Sequence, residues 1–276
     1  MSGISPYQVY AVNRVKTVFA NSASPLNEKC HIANGFWVGN THGERAFILC
    51  KHSVDPALAF QNSSGVPNPD ALALMKISIE LRLALQNGDQ VSVGTDMRFF
   101  DVSGIWNSLV KDDTADCAAL INPELLLVPT SHRPIPMRME DIADQSFLAE
   151  KAHIMDMASF IGYTGRPDLW DEEHGLPIAR LTSLASMPEW PFKNSSFKTE
   201  DVSLVAGLSF NGSSGSPLWI HASPGREAKL IGLMSAHDEI PGSGDLQGTV
   251  LAHLGLSWYT RSTTIHKLLV SNKFVI

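Results

Sequence analysis

The chain has little cysteine. Among 276 residues there are only Cys30, Cys50 and Cys117, an odd and sparse set that offers no disulfide framework. Nowhere does it run to the ~20 consecutive apolar residues that a membrane helix needs. The N-terminus, MSGISPYQVYAVNRVKTVF, has no apolar stretch behind a basic region, so it does not read as a secretory signal. There is no Lys/Arg-dense run, and the formal net charge is −7, so no field draws in nucleic acid or an anionic membrane. Ten histidines show no HExxH or paired-ligand spacing, so neither a metal nor another cofactor is expected. Internal repeats and low-complexity tracts are missing too. These absences point to a reducing, cytoplasmic setting, in which Asn-x-Ser/Thr matches at Asn62, Asn194 and Asn211 carry no meaning. With 44% hydrophobic and 18% charged residues, the chain is long and apolar enough for a real core.

What is present reads mostly as short strands. QVYAVNRVKTVF, GFWVGN and RAFILCKHSV are rich in Val, Phe, Ile and Trp and broken by Gly, Asn and Pro. GFWVGNTHGERAFILC has the form of a hairpin, and 61–69 that of an exposed loop. ALALMKISIELRLAL suits helix or strand; the alternation of Ile77, Ile79, Leu81, Leu83 and Leu85 with Ser78, Glu80, Arg82 and Ala84 favours a strand over 76–85. Proline-rich sequence from Pro123 onward reads as a connection reaching residue 145. Further apolar runs follow, and RSTTIHKLLVSNKF reads as a terminal helix. Two runs of strands, a connector and a closing helix predict an all-β chain in two halves: 1–122, a connection over 123–145, and 146–276.

Three segments carry chemistry. Asn211-Gly212-Ser213-Ser214-Gly215-Ser216-Pro217 lies between strand-like SLVAGLSF and SPLWI. A serine hydroxyl is a poor nucleophile and needs a base and oxyanion donors; a glycine two residues earlier lets the backbone N–H groups of Gly212 and Ser214 converge. Ser/Gly-rich turns between strands are also common without any such role. Leu49-Cys50-Lys51-His52-Ser53-Val54 puts a histidine where an apolar strand ends, and Thr114-Ala115-Asp116-Cys117-Ala118-Ala119-Leu120-Ile121 puts an aspartate ahead of a small apolar run. Alone, each is ordinary: a surface histidine, a solvated turn aspartate.

Together, in the order His, Asp, Ser, the three segments resemble the trypsin/chymotrypsin-like serine peptidases over nearly the whole chain. GFWVGN with RAFILCKHSV is similar to the family's opening hairpin and histidine segment, ADCAALI to its D-x-A-x-L strand, and GSSGSP to its G-D/N-S-G-G/S-P. IGYTGRPDLWDEEHGLPIARLTSLAS resembles a region of bacterial, HtrA-type enzymes more than of digestive ones. The resemblance implies two six-stranded antiparallel β-barrels with a C-terminal helix and a site between them. It implies Ser214 as nucleophile, His52 as general base, Asp116 as its orienting carboxylate, and Gly212 and Ser214 N–H groups as oxyanion donors. Asp112 and Asp113 lie close by, but Asp116 alone leads into the apolar strand. Ser235, Ala236 and His237 would pair with the backbone of a peptide or protein substrate. Leu208, six before the nucleophile, is not acidic, so no preference for Lys or Arg is indicated. Ser213 stands where zymogen-type relatives carry aspartate, so that activation switch is not expected.

An α/β-hydrolase elbow is the enzyme rival, with Asp238 and His253 in the right order, but Ser216 stands where its glycine is required and Pro217 opens a strand. The rival of another class is a trypsin-like fold kept as a binding module. A peptidase free in the cytoplasm implies narrow specificity or restraint, and leaves room for a regulatory protein partner. Cys50 and Cys117 read as buried small hydrophobes, Met75, Met97, Met155, Met157, Met187 and Met234 as core filler, His237 as a loop histidine, and Trp170 as part of an exposed loop near the cleft.

Overall fold

The computed structural model describes residues 6–21, 24–59, 72–87, 90–165, 171, 173–193, 200–210, 212–241 and 251–274. Strands dominate, as the alternating and apolar runs require. A short helix α1 (Pro6–Tyr10) leads into β1 (Val12–Asn21), β2 (Ser24–Gly39) and β3 (Arg45–Leu49); α2 (Pro56–Ala59), β4 (Leu72–Asn87), β5 (Gln90–Ser103), α3 (Ile105–Ser108), β6 (Leu109–Lys111), β7 (Ala118–Ile121), β8 (Glu124–Leu125) and β9 (Met137–Arg138) follow. Thus Gln8-Val9-Tyr10, expected to open a strand, closes a helical turn instead; the strand begins at Val12, just after burial begins at Ala11.

These strands make one sheet in the order β6-β7-β3-β2-β1-β4-β5-β8, with β9 added in parallel to β2. The second half holds α4 (Gln145–Lys151), β10 (Met157–Gly162), β11 (Ile178–Leu184), β12 (Val202–Ala206), β13 (Pro217–Ile220), β14 (Lys229–Pro241), β15 (Leu251–Arg261) and α5 (Ser262–Ser271). Its six strands close a barrel, β10-β11-β12-β15-β14-β13, with antiparallel pairing throughout. The fold is the chymotrypsin-like double barrel with a C-terminal helix, its first half a curled sheet.

Each half has its own core. Phe19, Trp37, Phe47, Ile79 and Leu120 fill the first, and Phe160, Leu218, Ile231 and Tyr259 the second. A third cluster lies between the halves, where Val12, Phe36, Ile48, Ile161, Trp219 and Leu233 meet Ile265 and Leu269 of α5. Each such side chain contributes about 1.5–3 kcal/mol by leaving water, so α5 clamps the two halves on which the site depends.

β4 is a strand, but it does not simply alternate between core and solvent. Ile77, Ile79 and Leu81 are buried, and so are Ser78, Glu80 and Arg82. Buried charges need partners. Arg14 of β1 grips the Glu80 carboxylate with two hydrogen bonds of 2.6 Å. Arg82 donates to the Tyr163 hydroxyl and to the carbonyls of Gly175 and His174 in the second half. The methionines also depart from expectation. Met234 is buried, but Met75, Met155, Met157 and Met187 are exposed, because they sit on solvent faces or at turns. No described helix is long and apolar enough to cross a membrane.

Candidate active site

β3 delivers His52. Its run Arg45–Leu49 pairs with β2 and β7, and the chain then turns through the 3-10 segment Lys51–Ser53. Lys51 Nζ anchors that turn to the carbonyls of Asp112 and Asp113 at 2.7 and 2.9 Å. Asp112 is itself a turn builder, its carboxylate accepting the N–H groups of Thr114 and Ala115. Asp116, 5% exposed at the head of β7, is the carboxylate that reaches the imidazole. Its Oδ2 lies 2.7 Å from His52 Nδ1, and its Oδ1 accepts the His52 backbone N–H at 2.9 Å. Ring and main chain of His52 are therefore oriented by one group.

The electrostatics follow from that contact. Burial pulls the His52 pKa down, but the charge and hydrogen bond of Asp116 outweigh it and leave the imidazole above its ordinary value. Burial likewise pushes Asp116 up, and His52 together with the Cys50 thiol holds it below the usual carboxylate range. Cys50 and Cys117 are buried, with thiols pushed up mainly by burial, so they behave as small hydrophobes.

Opposite lies the Ser214 loop. Ser213 N donates to Phe210 O at 2.9 Å, and Gly212 has φ +89°, the left-handed backbone that glycine adopts without strain. Any Cβ on Gly212 would stand 2.3 Å from the Gly165 nitrogen; on Gly215, φ +82°, it would stand 1.9 Å from the Asn34 carbonyl oxygen. Asn34 of β2, fully buried, pins this loop. Its backbone N–H donates to Ser214 O (2.9 Å), its Nδ2 to the carbonyls of Gly212 (2.6 Å) and Tyr163 (2.9 Å), and its Oδ1 accepts Tyr163 N–H (2.8 Å). Arg180 supports the turn from behind. It donates to Ser213 Oγ at 3.0 Å and lies over the rings of Phe210 (4.6 Å) and Phe160 (5.6 Å).

The two sides meet at Met234, whose carbonyl accepts both the Cys50 thiol (3.2 Å) and Gly215 N–H (2.8 Å). A second link runs from the Asp116 carbonyl to the Thr260 hydroxyl (3.3 Å) and on to the Ser235 hydroxyl (2.9 Å). The structure thus brings His52 and Asp116 into direct contact and places the Ser214 loop against them. It does not join Ser214 to His52: the Ser214 hydroxyl donates to the Ser235 carbonyl at 3.1 Å. The hydroxyl is a single rotor, and in this conformation its acceptor is that carbonyl.

Ser235, Ala236 and His237 lie on β14, paired with β15 on one side. On the other side, β13 pairs with β14 only as far as Leu233, so the next residues of β14 have no strand neighbour there among the described residues. Leu208 does not line a closed floor; it is 54% exposed, while Ser209 beside it is buried 3.0 Å from the Ser257 hydroxyl. The side chains of Ala236, His237 and His253, together with Asn62, Asn194, Asn211, Trp170 and the 61–69 loop, lie outside the described residues.

Cys50, His52 and Asp116 offer three metal-ligand atoms within 4.8 Å of one another. The Asp116 oxygens are already engaged by His52 and the thiol is held protonated, so these atoms suit an ion poorly. Asn34 and Arg180 escaped the sequence reading. Asn34-Gly35 looks like a turn dipeptide, and only its place inside the apolar run IANGFWV marked it; Arg180 bears no local signal.

No family model and no curated protein sequence matches the chain. Among solved structures, the apo MamO protease domain from Magnetospirillum magneticum aligns at 16% identity over 98% of each chain, with a TM-score of 0.49. The structure of GrC aligns at 11% identity over 98% of this chain and 96% of its own, with a TM-score of 0.48. At such scores neither likeness carries an argument. Fold and site stand on the chain's own topology and contacts.

Proposed function

We propose that the chain is a serine endopeptidase, with Ser214 as nucleophile, His52 as general base and Asp116 as the group that orients it. One observation carries this reading. A buried carboxylate clasps both the ring and the main chain of a histidine, on the wall against which a glycine-flanked serine is packed. Isolated structural ion pairs have no need of that second wall.

On this reading, the Ser214 hydroxyl turns from the Ser235 carbonyl to His52 Nε2 when substrate binds. His52 takes its proton as Oγ attacks the scissile carbonyl, then returns it to the leaving amine. Asp116 stabilises the imidazolium between those steps. The left-handed Gly212 just before the serine favours the N–H groups of Gly212 and Ser214 as donors to the oxyanion. An extended peptide would add to β14 at Ser235–His237 as an antiparallel strand, and the neutral Leu208 argues against a basic side chain at the cleavage site. The three unpaired thiols favour a reducing compartment.

A second reading is a binding module whose site rests unengaged. The bond from Ser214 to Ser235 favours it. Labelling with a fluorophosphonate separates the two. Active protein labels, and Ser214→Ala and His52→Ala abolish the signal. Folded wild type that resists the probe supports the binding module.

A further inference from the structure

A second site lies at the far end of β3. Between the β2–β3 turn and the connection after β7 is an open groove of about 660 Å³. β3 separates the two sites: Arg45 opens the strand and His52 lies in the 3-10 turn beyond its end, so at ~3.3 Å per strand residue the groove and the imidazole stand at opposite ends of a strand about 13 Å long. Its size is that of a small-molecule pocket. It is lined by Trp37, Arg45, Leu125, Val128, His132 and Arg133, among others, and no carboxylate is among its lining residues.

Three features set it apart from ordinary surface. Arg45 and Arg133 are two cations on one groove, and neither guanidinium has a hydrogen-bond or ion-pair partner among the described residues; the nearby Glu44 carboxylate is held by the side chains of Asn40 and Asn122. Trp37 is 1% exposed, and its indole N–H has no acceptor. His132 is 4% exposed, and its Nε2 has no hydrogen bond, the Asp96 carboxylate standing off at 3.6 Å. Buried polar groups normally find partners. The two unpaired guanidinium groups are the groove's donors and Leu125 and Val128 its apolar patch, with the buried rings of Trp37 and His132 forming the wall behind them.

We propose that this groove binds a small ligand that carries an oxyanion, a carboxylate, sulfonate or phosphate, on an apolar or aromatic body. The guanidinium forks match such oxyanions through paired, charge-assisted hydrogen bonds, and the apolar patch covers the body. With a net charge of −7, the protein as a whole repels anions, so the attraction is local to the groove.

The test uses 1-anilinonaphthalene-8-sulfonate on the intact protein, with the uncharged N-phenyl-1-naphthylamine as control. The sulfonate is expected to bind saturably, with energy transfer from tryptophan that falls in Trp37→Phe. Arg45→Gln/Arg133→Gln should weaken it at least about tenfold, the loss of a charge-assisted contact; Arg45→Lys/Arg133→Lys should retain part of the affinity, and the uncharged probe should bind wild type and variants alike and weakly. Both arginines are at least partly exposed, and thermal unfolding of the variants is expected to match wild type. Equal affinity of wild type and the Gln variant for the sulfonate, absence of saturable binding, or equally tight binding of the uncharged probe would overturn the proposal.

Discussion

The two walls of the cleft are finished to different degrees. On the His52 wall the polar groups meet their targets: Asp116 holds ring and backbone, Lys51 ties the turn down, and Asp112 caps the loop. On the Ser214 wall the backbone is pinned just as firmly by Asn34, but the one atom that would react bonds to the Ser235 carbonyl and not to His52. Orientation is built into the first half by buried hydrogen bonds. In the second half it is left to a single side-chain torsion, which substrate can turn by breaking one hydrogen bond worth about 0.5–1.5 kcal/mol.

The largest expected effect comes from breaking the finished wall. Asp116→Asn keeps the shape but removes the charge and imposes the wrong imidazole tautomer; we predict a loss of roughly 10⁴-fold in the labelling rate or in kcat. Since Asp116 raises the His52 pKa, the residual activity should also extend to lower pH than in wild type. Unchanged rates in a folded Asp116→Asn protein would remove His52 and Asp116 from the chemistry.

Next comes the pin of the other wall. Asn34→Ala strips partners from the Gly212 carbonyl and from both backbone groups of Tyr163. With ~1–3 kcal/mol for each buried group left unsatisfied, a loss of about 3 kcal/mol or more is expected. In a chain of this size that is a fall in Tm on the order of 10 °C, measurable by calorimetry. A fall of only a degree or two would mean that the loop holds itself.

The contrast between the walls also marks what could be read in advance. His52 and Asp116 were legible because each stands at the edge of an apolar strand, and strand edges are local features. The tight, pinned turn before Ser214 was legible from its glycines. What was not legible is what crosses between halves. Asn34 meets Tyr163 and Gly212 across separations of 129 and 178 residues. Arg82, which reads as the polar face of a strand, is buried because Tyr163 and Gly175 of the other half receive it. The Ser214 hydroxyl bonds to a carbonyl of β14 that only the folded cleft brings to it, and Leu208 is exposed because its neighbour Ser209, not Leu208, turns inward. Periodicity does not encode such choices.

A smaller effect is expected behind the Ser214 loop. Arg180→Met removes the hydrogen bond to Ser213 and the stacking on Phe210. About a tenfold slower labelling is predicted, the order of one cation–π contact and one hydrogen bond. Arg180→Lys should rescue little, since a lysine lacks the flat face. Wild-type labelling by Arg180→Met would show that the turn stands without it.

The subtlest difference is one of sign. His31 of β2 packs edge-on against His52, ring centroids 5.9 Å apart, yet the two rings respond oppositely to pH. His31 is pushed down to about 4 by burial first and by His52 second, from an ordinary 6.5. A lowered histidine pKa gives stability that is complete above the unfolded value and is lost as pH falls from 6.5 through about 4, because the unfolded chain binds the extra proton. His52, held above its ordinary value, gives stability that is complete below 6.5 and is lost as pH rises through its folded pKa. We therefore predict that His31→Phe flattens the acid side of the stability profile and leaves the alkaline side alone, while His52→Phe flattens the alkaline side and, because His52 also helps to hold His31 and Asp116 down, alters the acid side as well. The flattening by His31→Phe is partial, since His221, held low by burial and by Arg226, keeps part of the acid slope. Urea unfolding between pH 4 and 9 reads both slopes. An acid slope unaltered in His31→Phe would mean that this ring is not held neutral by its surroundings, and that two imidazoles in contact do not divide their titration as burial and Asp116 require.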